Sequence, residues 1–249
     1  MIFDGHSDIF SDVRYKREAG ETQVLKNHHL DRLRKGGIGG ACFVIWADTY
    51  NGHAPKDEME AIVKGIKEEM AETKEFVLIH NVEELKAAEA AGKFAILLGI
   101  EGLAGIGEDL SKIDELYDLG ARHAMLTWNE ENALGTGVKG DPNRGLTELG
   151  KKAAKKIQEK KMILDVSHIN EKSFWDIMDL ATGPILASHS NAKALASAAR
   201  NLTDDQLRAI RDTNGLIGLN AFGDFISDNK AEQDVDHLVN HATYIADKI

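Results

Sequence analysis

Residues 94–102, FAILLGIEG, join a short apolar run to a glutamate, and this pattern decides the fold. The run 94–100 has the length of a buried strand, and Glu101 follows its carboxyl end directly. A carboxylate in that position is costly to bury unless it is paired or bound to a metal. The same sequence of events, an apolar strand followed by polar residues that can bind a metal, recurs along the chain.

Short apolar runs alternate with longer amphipathic, charged stretches throughout the 249 residues. Such alternation predicts helices between the strands of a parallel sheet. Because the chain has no Gly-rich phosphate loop, it favours a TIM-type (βα)8 barrel over a doubly wound sheet. The predicted strands are 2–3, 40–46, 94–100, 124–127, 162–166, 185–187 and 216–219. The main predicted helices are 54–74, 109–119 with Gly120 as its cap, 149–161, 171–180, one opening at Thr203, and 235–247.

Seven predicted strands are one fewer than a (βα)8 barrel requires. The eighth would begin at about residue 250, after the last predicted helix. We therefore expect a single metallo-hydrolase domain over residues 1–249 that lacks its eighth strand and is incomplete at its C-terminal end.

Composition limits which binding partners and which cellular compartment we expect for this chain. The formal net charge of −11 argues against a nucleic-acid or anionic-membrane partner, because both attract basic patches. The N-terminus has no signal-peptide pattern, and no apolar run approaches the ~20 residues of a membrane span. The single cysteine, Cys42, lies in the apolar run 41–45 and is predicted to be a buried thiol of a reducing compartment. We expect a cytoplasmic protein.

Four of the predicted strands end in residues that can bind a metal. His6 and Asp8 follow the first strand, Glu101 the third, His168 the fifth and His189 the sixth. Strand carboxyl ends open onto one face of a barrel, so these side chains are predicted to converge. Imidazole nitrogens and carboxylate oxygens suit zinc and similar divalent ions. Five ligands exceed the needs of one tetrahedral ion and favour two ions, which can hold a bridging hydroxide as nucleophile.

The remaining histidines look less functional. His237 and His241 are four apart on the last predicted helix, and we expect both to be solvated on the outer surface. No nucleophilic Ser or Cys lies in a recognisable motif.

Five motifs, taken in order, resemble the signatures of one known family, the membrane (renal) dipeptidases of the amidohydrolase-like barrels. They are residues 4–8 (DGHSD), 99–102 (GIEG), 165–168 (DVSH), 188–191 (SHSN) and 200–202 (RNL). The segment 145–150 is also similar to the family pattern. The resemblance runs from residue 4 to the end of the chain, and the combination of motifs is far more specific than any one of them.

The resemblance implies a zinc dipeptidase with two metal ions. It implies that His6 and Asp8 bind one zinc and that His168 and His189 bind the other. It further implies that Glu101 bridges the two ions as a catalytic residue. The reaction implied is hydrolysis of the peptide bond of a dipeptide, which in this family often carries a D-residue at its C-terminal position.

Two further positions take a substrate role from the resemblance. Arg200 matches the family arginine that receives the carboxylate of the dipeptide, and its planar fork suits bidentate binding. Trp128 stands after strand four, where many members carry a histidine that contacts the substrate. We therefore expect this position to differ from those members in its transition-state hydrogen bonding and in the substrate it favours.

Two alternatives stay open. The first is another amidohydrolase-like activity on a lactone, amide or phosphoester. Such enzymes usually bridge their metals with a carboxylated lysine, whereas Lys93 here precedes its strand and Glu101 follows it. The second is a metal-binding barrel fragment that is impaired because it lacks the acid/base aspartate that the family carries on strand eight. The native metal, the side-chain preference of the substrate and a homodimeric state are also left open.

Overall fold

Strands and helices alternate through the residues that the computed structural model describes, 1–47 and 52–249. The chain divides into two units, Met1–Ala124 and Met125–Ile249. The eight strands in the described residues form two four-stranded sheets with parallel pairing, so the predicted α/β class is confirmed. Closure of these strands into one barrel stays a prediction.

The sheet of the first unit has the strand order β1-β2-β4-β3. Its strands are β1 (Ile2–Ser7), β2 (Ile38–Trp46), β3 (Phe76–Leu78) and β4 (Phe94–Glu101). Its helices are α1 (Ile9–Glu18), α2 (Asp31–Lys35), α3 (Pro55–Glu72), α4 (Val82–Ala90) and α5 (Lys112–Leu119), with a π-helical turn at Leu25–Leu30 and a 3-10 turn at Ala104–Ile106. Helix α5 ends at Gly120, whose φ of 121° confirms the predicted cap.

Strand β3 is the one strand in the described residues that the sequence does not predict. It is three residues long and pairs with the start of β4, Phe76 opposite Phe94. The described residues therefore hold eight strands where seven were expected.

The core of the first unit lies around β2 and β4. Cys42 in β2 is buried, which confirms its predicted place as core filler. The ring of Phe43 stacks on Phe94 at 5.6 Å between centroids and meets the edge of Phe10 at 5.5 Å. Helix α1 is thereby packed on the sheet close to the end of β1.

Helix α3 is the longest described helix, and its contacts with α1 are ionic as well as apolar. Arg14 of α1 pairs with the buried Glu58 at 3.0 Å, and Arg17 pairs with the fully buried Glu69 at 2.9 Å. Pairing is what makes burial of these carboxylates tolerable. Across residues 1–47 and 52–249, no helix has both the length and the apolarity that crossing a membrane requires.

The sheet of the second unit has the order β5-β6-β7-β8. Its strands are β5 (His123–Met125), which lies across the division between the units, β6 (Ile163–Asp165), β7 (Ile185–Ala187) and β8 (Leu216–Ile217). Its helices are α6 (Glu148–Glu159), α7 (Glu171–Met178), α8 (Asp204–Asp212), α9 (Gly223–Ile226) and α10 (Val235–Lys248), with a 3-10 turn at Lys230–Glu232.

Two helix starts differ in how their first turns are capped. Thr203 opens α8 with a capping box, because its hydroxyl accepts from the Gln206 backbone while the Gln206 side chain accepts from Thr203. Asp8 occupies the same position at α1, but its carboxylate accepts no hydrogen bond from the first turn of α1 among the described residues. Instead this carboxylate interacts with Glu101.

Helix α10 contains the two histidines that were expected to be solvated. His237 is partly exposed, and its ring contacts Asp234. His241 is fully buried, so its predicted exposure is wrong. The reason is that the loop after β7 and helix α9 cover this face of α10 and hydrogen-bond the ring.

Candidate metal centre

Three of the five predicted ligands meet in the first unit. His6 lies in β1, Asp8 directly follows that strand, and Glu101 is the last residue of β4. The Nε2 atom of His6 is 3.3 Å from Oε2 of Glu101 and 3.9 Å from Oδ1 of Asp8. The side chain of Glu101 is buried, that of His6 is 9% exposed, and Asp8 hydrogen-bonds Glu101. One imidazole nitrogen and two carboxylates therefore surround one point.

The proximity of two carboxylates changes the acidity of Asp8. Desolvation and then the negative charge of Glu101 raise the pKa of Asp8 to about 7, and His6 opposes the rise. The side chain of Asp8 is nevertheless 54% exposed, so water screens part of this repulsion. A divalent cation at this point would relieve the repulsion and favour both carboxylates in their ionised form.

The other two predicted ligands meet in the second unit. His168 lies three residues after the end of β6, and His189 lies two residues after β7. Their Nε2 atoms are 2.8 Å apart, and their ring centroids are 4.8 Å apart. The two lone pairs available for a metal thus converge on one point.

The outer nitrogens of both rings contact polar side chains. Nδ1 of His168 is 2.9 Å from Oδ1 of Asn129, and Nδ1 of His189 is 2.8 Å from Oγ of Ser188. Because the amide oxygen of Asn129 can only accept, Nδ1 of His168 carries the hydrogen and Nε2 keeps its lone pair. Such partners fix the tautomer and the orientation of a metal-binding histidine.

A buried carboxylate lies behind Ser188. Asp165 accepts two hydrogen bonds from Ser167, one from Oγ at 2.6 Å and one from the backbone N–H at 2.8 Å. It accepts a third from the backbone N–H of Ser188 at 3.2 Å. The two hydroxyl oxygens of Ser167 and Ser188 are 3.3 Å apart. If each group in this chain of hydrogen bonds donates toward Asp165, Nδ1 of His189 carries its hydrogen and the lone pair of its Nε2 faces His168.

Arg200 lies beside the two histidines. Its side chain is only 6% exposed, and Nη2 is 3.0 Å from Nε2 of His168 and 3.5 Å from the backbone oxygen of His189. The guanidinium carbon lies 5.6 Å from the centroid of Phe225. A buried cation at this place can attract an anionic group of a ligand.

Trp128 lies on the other side of His168. The ring centroids of Trp128 and His168 are 6.0 Å apart, and Nζ of Lys139 lies 5.7 Å from the Trp128 ring. The indole is half-buried, so part of its surface stays available to a ligand. An indole next to a metal-binding ring offers apolar contact rather than the hydrogen bonds of a histidine.

Several residues that support this site are missed by sequence reasoning. Asn129 and Ser188 contact the histidines, and Asp165 and Ser167 support Ser188. The sequence does contain a signal that could have identified three of them. Asp165 and Ser167 belong to the DVSH motif, and Ser188 precedes His189. Sequence alone shows that they are adjacent to ligands, whereas the hydrogen bonds become visible only in three dimensions.

The chemistry of the donors fits divalent metal binding in both units. The first unit supplies imidazole nitrogen with two carboxylates, and the second supplies two imidazole nitrogens with their outer positions held. Mixed nitrogen and oxygen donors of this kind suit zinc and similar ions. Taken with the parallel α/β fold, they are typical of metal-dependent hydrolases.

Comparison with known families agrees with this class and specifies it. The model of the membrane dipeptidase family, peptidase family M19, matches residues 1–249, and the chain belongs to that family. An uncharacterized protein in the PQQ-III 3' region of Acinetobacter calcoaceticus is 30% identical over 282 residues, covering 100% of this chain and 90% of that protein. An uncharacterized protein in the pqqA 5' region of Klebsiella pneumoniae is 40% identical over 174 residues, covering 66% and 63%.

Two solved structures are similar over nearly the whole chain. One is a metallo peptidase from Rhodobacter sphaeroides liganded with a phosphinate mimic of the dipeptide L-Ala-D-Ala, with a TM-score of 0.87 and 26% identity, covering 99% of this chain and 82% of that one. The other is the dipeptidase AC, a metallo peptidase of family M19, with a TM-score of 0.88 and 26% identity, covering 99% and 81%. The chain is accordingly a metal-dependent dipeptidase, a hydrolase whose substrates are dipeptides.

Proposed function

We propose that this dipeptidase uses two zinc ions, with His6 and Asp8 on one, His168 and His189 on the other, and Glu101 bridging both. The convergence of donors within each unit supports this assignment, as does the order of the family motifs. When bound, the metals would activate water as the nucleophile, which we propose is a hydroxide shared by the two ions, and would polarise the carbonyl of the scissile bond. The chain's own groups orient the ligands and the substrate.

The observation that carries the dipeptide assignment is the position of Arg200. A buried guanidinium 3.0 Å from a candidate ligand nitrogen would repel a metal cation unless an anion joined them. A dipeptide brings that anion, because its free carboxylate is one residue away from the scissile bond. Arg200 would then bind the carboxylate through its planar fork and fix the distance from the substrate's C-terminus to the metals.

Trp128 and the stereochemistry of the substrate form a finer part of the proposal. The half-buried indole beside His168 supplies an apolar wall for one side chain of the dipeptide. We propose that a D-residue is accepted at the C-terminal position, as in the ligand bound to the Rhodobacter sphaeroides peptidase. A wall that makes apolar contact discriminates by shape more than by hydrogen bonding, so substrates with small side chains of either hand should fit.

The test is hydrolysis of a panel of L,L- and L,D-dipeptides by the purified chain at measured zinc occupancy. We expect turnover that disappears with a chelator and returns with zinc, and that requires a free C-terminal carboxylate. Full zinc occupancy without hydrolysis of any dipeptide would instead favour the alternative hypothesis, a barrel that binds metal but lacks dipeptidase activity. Hydrolysis of lactones or phosphoesters in preference to dipeptides would also contradict the proposal.

A further inference from the structure

The buried His241 joins helix α10 to two segments near the histidine ligands of the second unit. Its Nδ1 accepts a hydrogen bond from the backbone N–H of Ala192 at 3.1 Å, and its Nε2 donates to the backbone oxygen of Ile226 at 2.8 Å. Because a backbone N–H can only donate and a carbonyl can only accept, this geometry requires the neutral ring with its hydrogen on Nε2. The ring thus fastens the loop after β7 to helix α9.

Two buried asparagines fasten the same two segments. Asn191 donates from Nδ2 to the backbone oxygens of Asn220 at 2.9 Å and of Phe225 at 3.0 Å. Asn201 donates from Nδ2 to the backbone oxygens of Ala196 and Phe225, both at 2.9 Å. The carbonyl of Phe225 therefore receives two side-chain amides from opposite ends of the loop. We call His241, Asn191 and Asn201 the polar frame.

The polar frame adjoins the group that the proposed function assigns to the substrate carboxylate. Asn201 directly follows Arg200, and Asn191 lies two residues after His189. The ring of Phe225, whose carbonyl the frame holds, lies 5.6 Å from the guanidinium carbon of Arg200. A cation over an aromatic face is stabilised where it stands, so the position of α9 helps to fix the direction of Arg200.

We propose that His241 is a positioning residue for Arg200: by holding α9 against the loop after β7, it keeps the Phe225 ring under the guanidinium. This proposal rests on the proposed function, since it takes Arg200 as the carboxylate-binding group. His241 acts through its two side-chain hydrogen bonds. Without the imidazole, the backbone N–H of Ala192 and the backbone oxygen of Ile226 would lose these partners.

The experiment compares His241→Leu with His241→Gln at equal zinc occupancy. Leucine fills the site without a donor or an acceptor, whereas glutamine offers one of each and should restore both bonds. For a dipeptide we expect His241→Leu to raise KM about tenfold with little change in kcat, as expected when a polar contact worth ~1.4 kcal/mol is lost. His241→Gln should stay near the parent, and His237→Leu, on the exposed side of the same helix, serves as the matched control.

A second substrate separates positioning from general damage. The same dipeptide with an amidated C-terminus cannot form the ion pair with Arg200, so its binding, measured as competitive inhibition of dipeptide hydrolysis, should be unchanged by His241→Leu. If His241→Leu folds poorly, Phe225→Leu tests the contact through which His241 is proposed to act, because it removes the ring beside Arg200 and leaves the backbone bonds in place. Equal effects on the free and amidated dipeptides, or an unchanged KM, would overturn the inference.

A binding measurement without turnover separates the positioning role of His241 from the proposed dipeptidase function. Calorimetry with a phosphinate mimic of an Ala-Ala dipeptide should show tight binding to the parent and about tenfold weaker binding to His241→Leu. Equal binding to both proteins would overturn the positioning role alone. Failure of the zinc-loaded parent to bind the mimic would overturn the proposed function, and the inference would fall with it.

Discussion

Nη2 of Arg200 and Nε2 of His168 lie 3.0 Å apart, so the buried guanidinium faces the lone pair that a metal ion on His168 would need. Replacing Arg200 by alanine should therefore have two opposite effects. Zinc affinity should rise or stay constant, because a nearby positive charge is removed. The kcat/KM for dipeptides should fall by about 100-fold, ~3 kcal/mol, because a buried charge-assisted pair is lost. Zinc titration and steady-state kinetics on one preparation measure both.

The exposed Arg208 of α8 gives the matched control for that substitution. Arg208→Ala removes the same charge away from the histidines and should leave kcat/KM unchanged. Unchanged kinetics in Arg200→Ala would remove Arg200 from the substrate site.

Removing the metals should abolish hydrolysis and lower stability together. We expect two zinc ions per chain by elemental analysis and complete loss of dipeptide turnover after chelation. Restoring free zinc to a thousand times its Kd should stabilise the fold by about 4 kcal/mol per site, because the ion binds only the folded arrangement. A stoichiometry of one ion at full activity would contradict the bridging role of Glu101.

The outer partner of His168 should control metal affinity. Asn129→Leu removes the acceptor for Nδ1–H of His168, so the ring loses its fixed tautomer and orientation. We expect zinc affinity to fall by about 10- to 100-fold, as is typical when such a partner is lost. Competition with a coloured chelator measures it, and Asn143→Leu, in an exposed turn, is the control. Equal affinities for the two variants would show that Asn129 does not orient the ring.

The pKa of Asp8 predicts how the metal-free protein responds to pH. Its usual value is 3.8 and its value in the fold is about 7, so the folded state holds this proton more tightly. The stabilising effect of that proton is fully present below pH 4 and is lost as pH rises through 7. Asp8→Asn should therefore raise the melting temperature of the metal-free protein at pH 8 by a few degrees, allowing for solvent screening.

Well below pH 3.8, the melting temperatures of Asp8→Asn and the parent should coincide, because Asp8 is then protonated in both the folded and the unfolded state. Zinc should reverse the order at pH 8, since the parent gains a ligand that the variant lacks. A higher melting temperature for the parent in the metal-free state at pH 8 would contradict the repulsion with Glu101.

Gly150 in α6 tests packing against helix propensity. A Cβ atom at Gly150 would lie 1.8 Å from the backbone oxygen of Leu134. Propensity alone predicts that alanine stabilises a helix interior by about 1 kcal/mol relative to glycine. We expect Gly150→Ala instead to lower the free energy of unfolding by about 1–3 kcal/mol, because backbone must move to admit the methyl group. Denaturant unfolding decides the sign, with Lys155→Ala on the exposed face as control.

The sequence predicts the parts of this fold that depend on local pattern. The apolar runs at 94–100 and 185–187 correspond to β4 and β7, because a buried strand consists of consecutive apolar residues that can be recognised in the sequence. The first strand was expected to stop at Phe3 but continues to Ser7, since backbone pairing with β2 tolerates the polar residues that carry His6. The predicted ligands lie close together within each unit, as the polar residues after apolar strands suggested, and their binding of a metal stays a prediction.

What the sequence does not predict depends on contacts between distant segments. His241 has the helical spacing of a surface residue, and its burial follows from the loop after β7 and from α9, 49 and 15 residues away. The hydrogen bond from His168 to Asn129 likewise joins residues 39 apart. Neither pairing leaves a periodic trace, so only the folded structure gives these residues their roles.

Asp8 stands at a position where one side chain could either cap helix α1 or serve as a metal ligand, and it does not cap the helix. Aspartate is among the residues that best close the first turn of a helix, a contribution of about 1 kcal/mol, yet the carboxylate of Asp8 faces Glu101 and His6 instead. Serine or threonine at position 8 could provide that contribution while giving up a metal ligand. Selection of this protein for heat resistance without metal should therefore drift away from aspartate at position 8, and only selection that also demands metal binding or turnover should retain it.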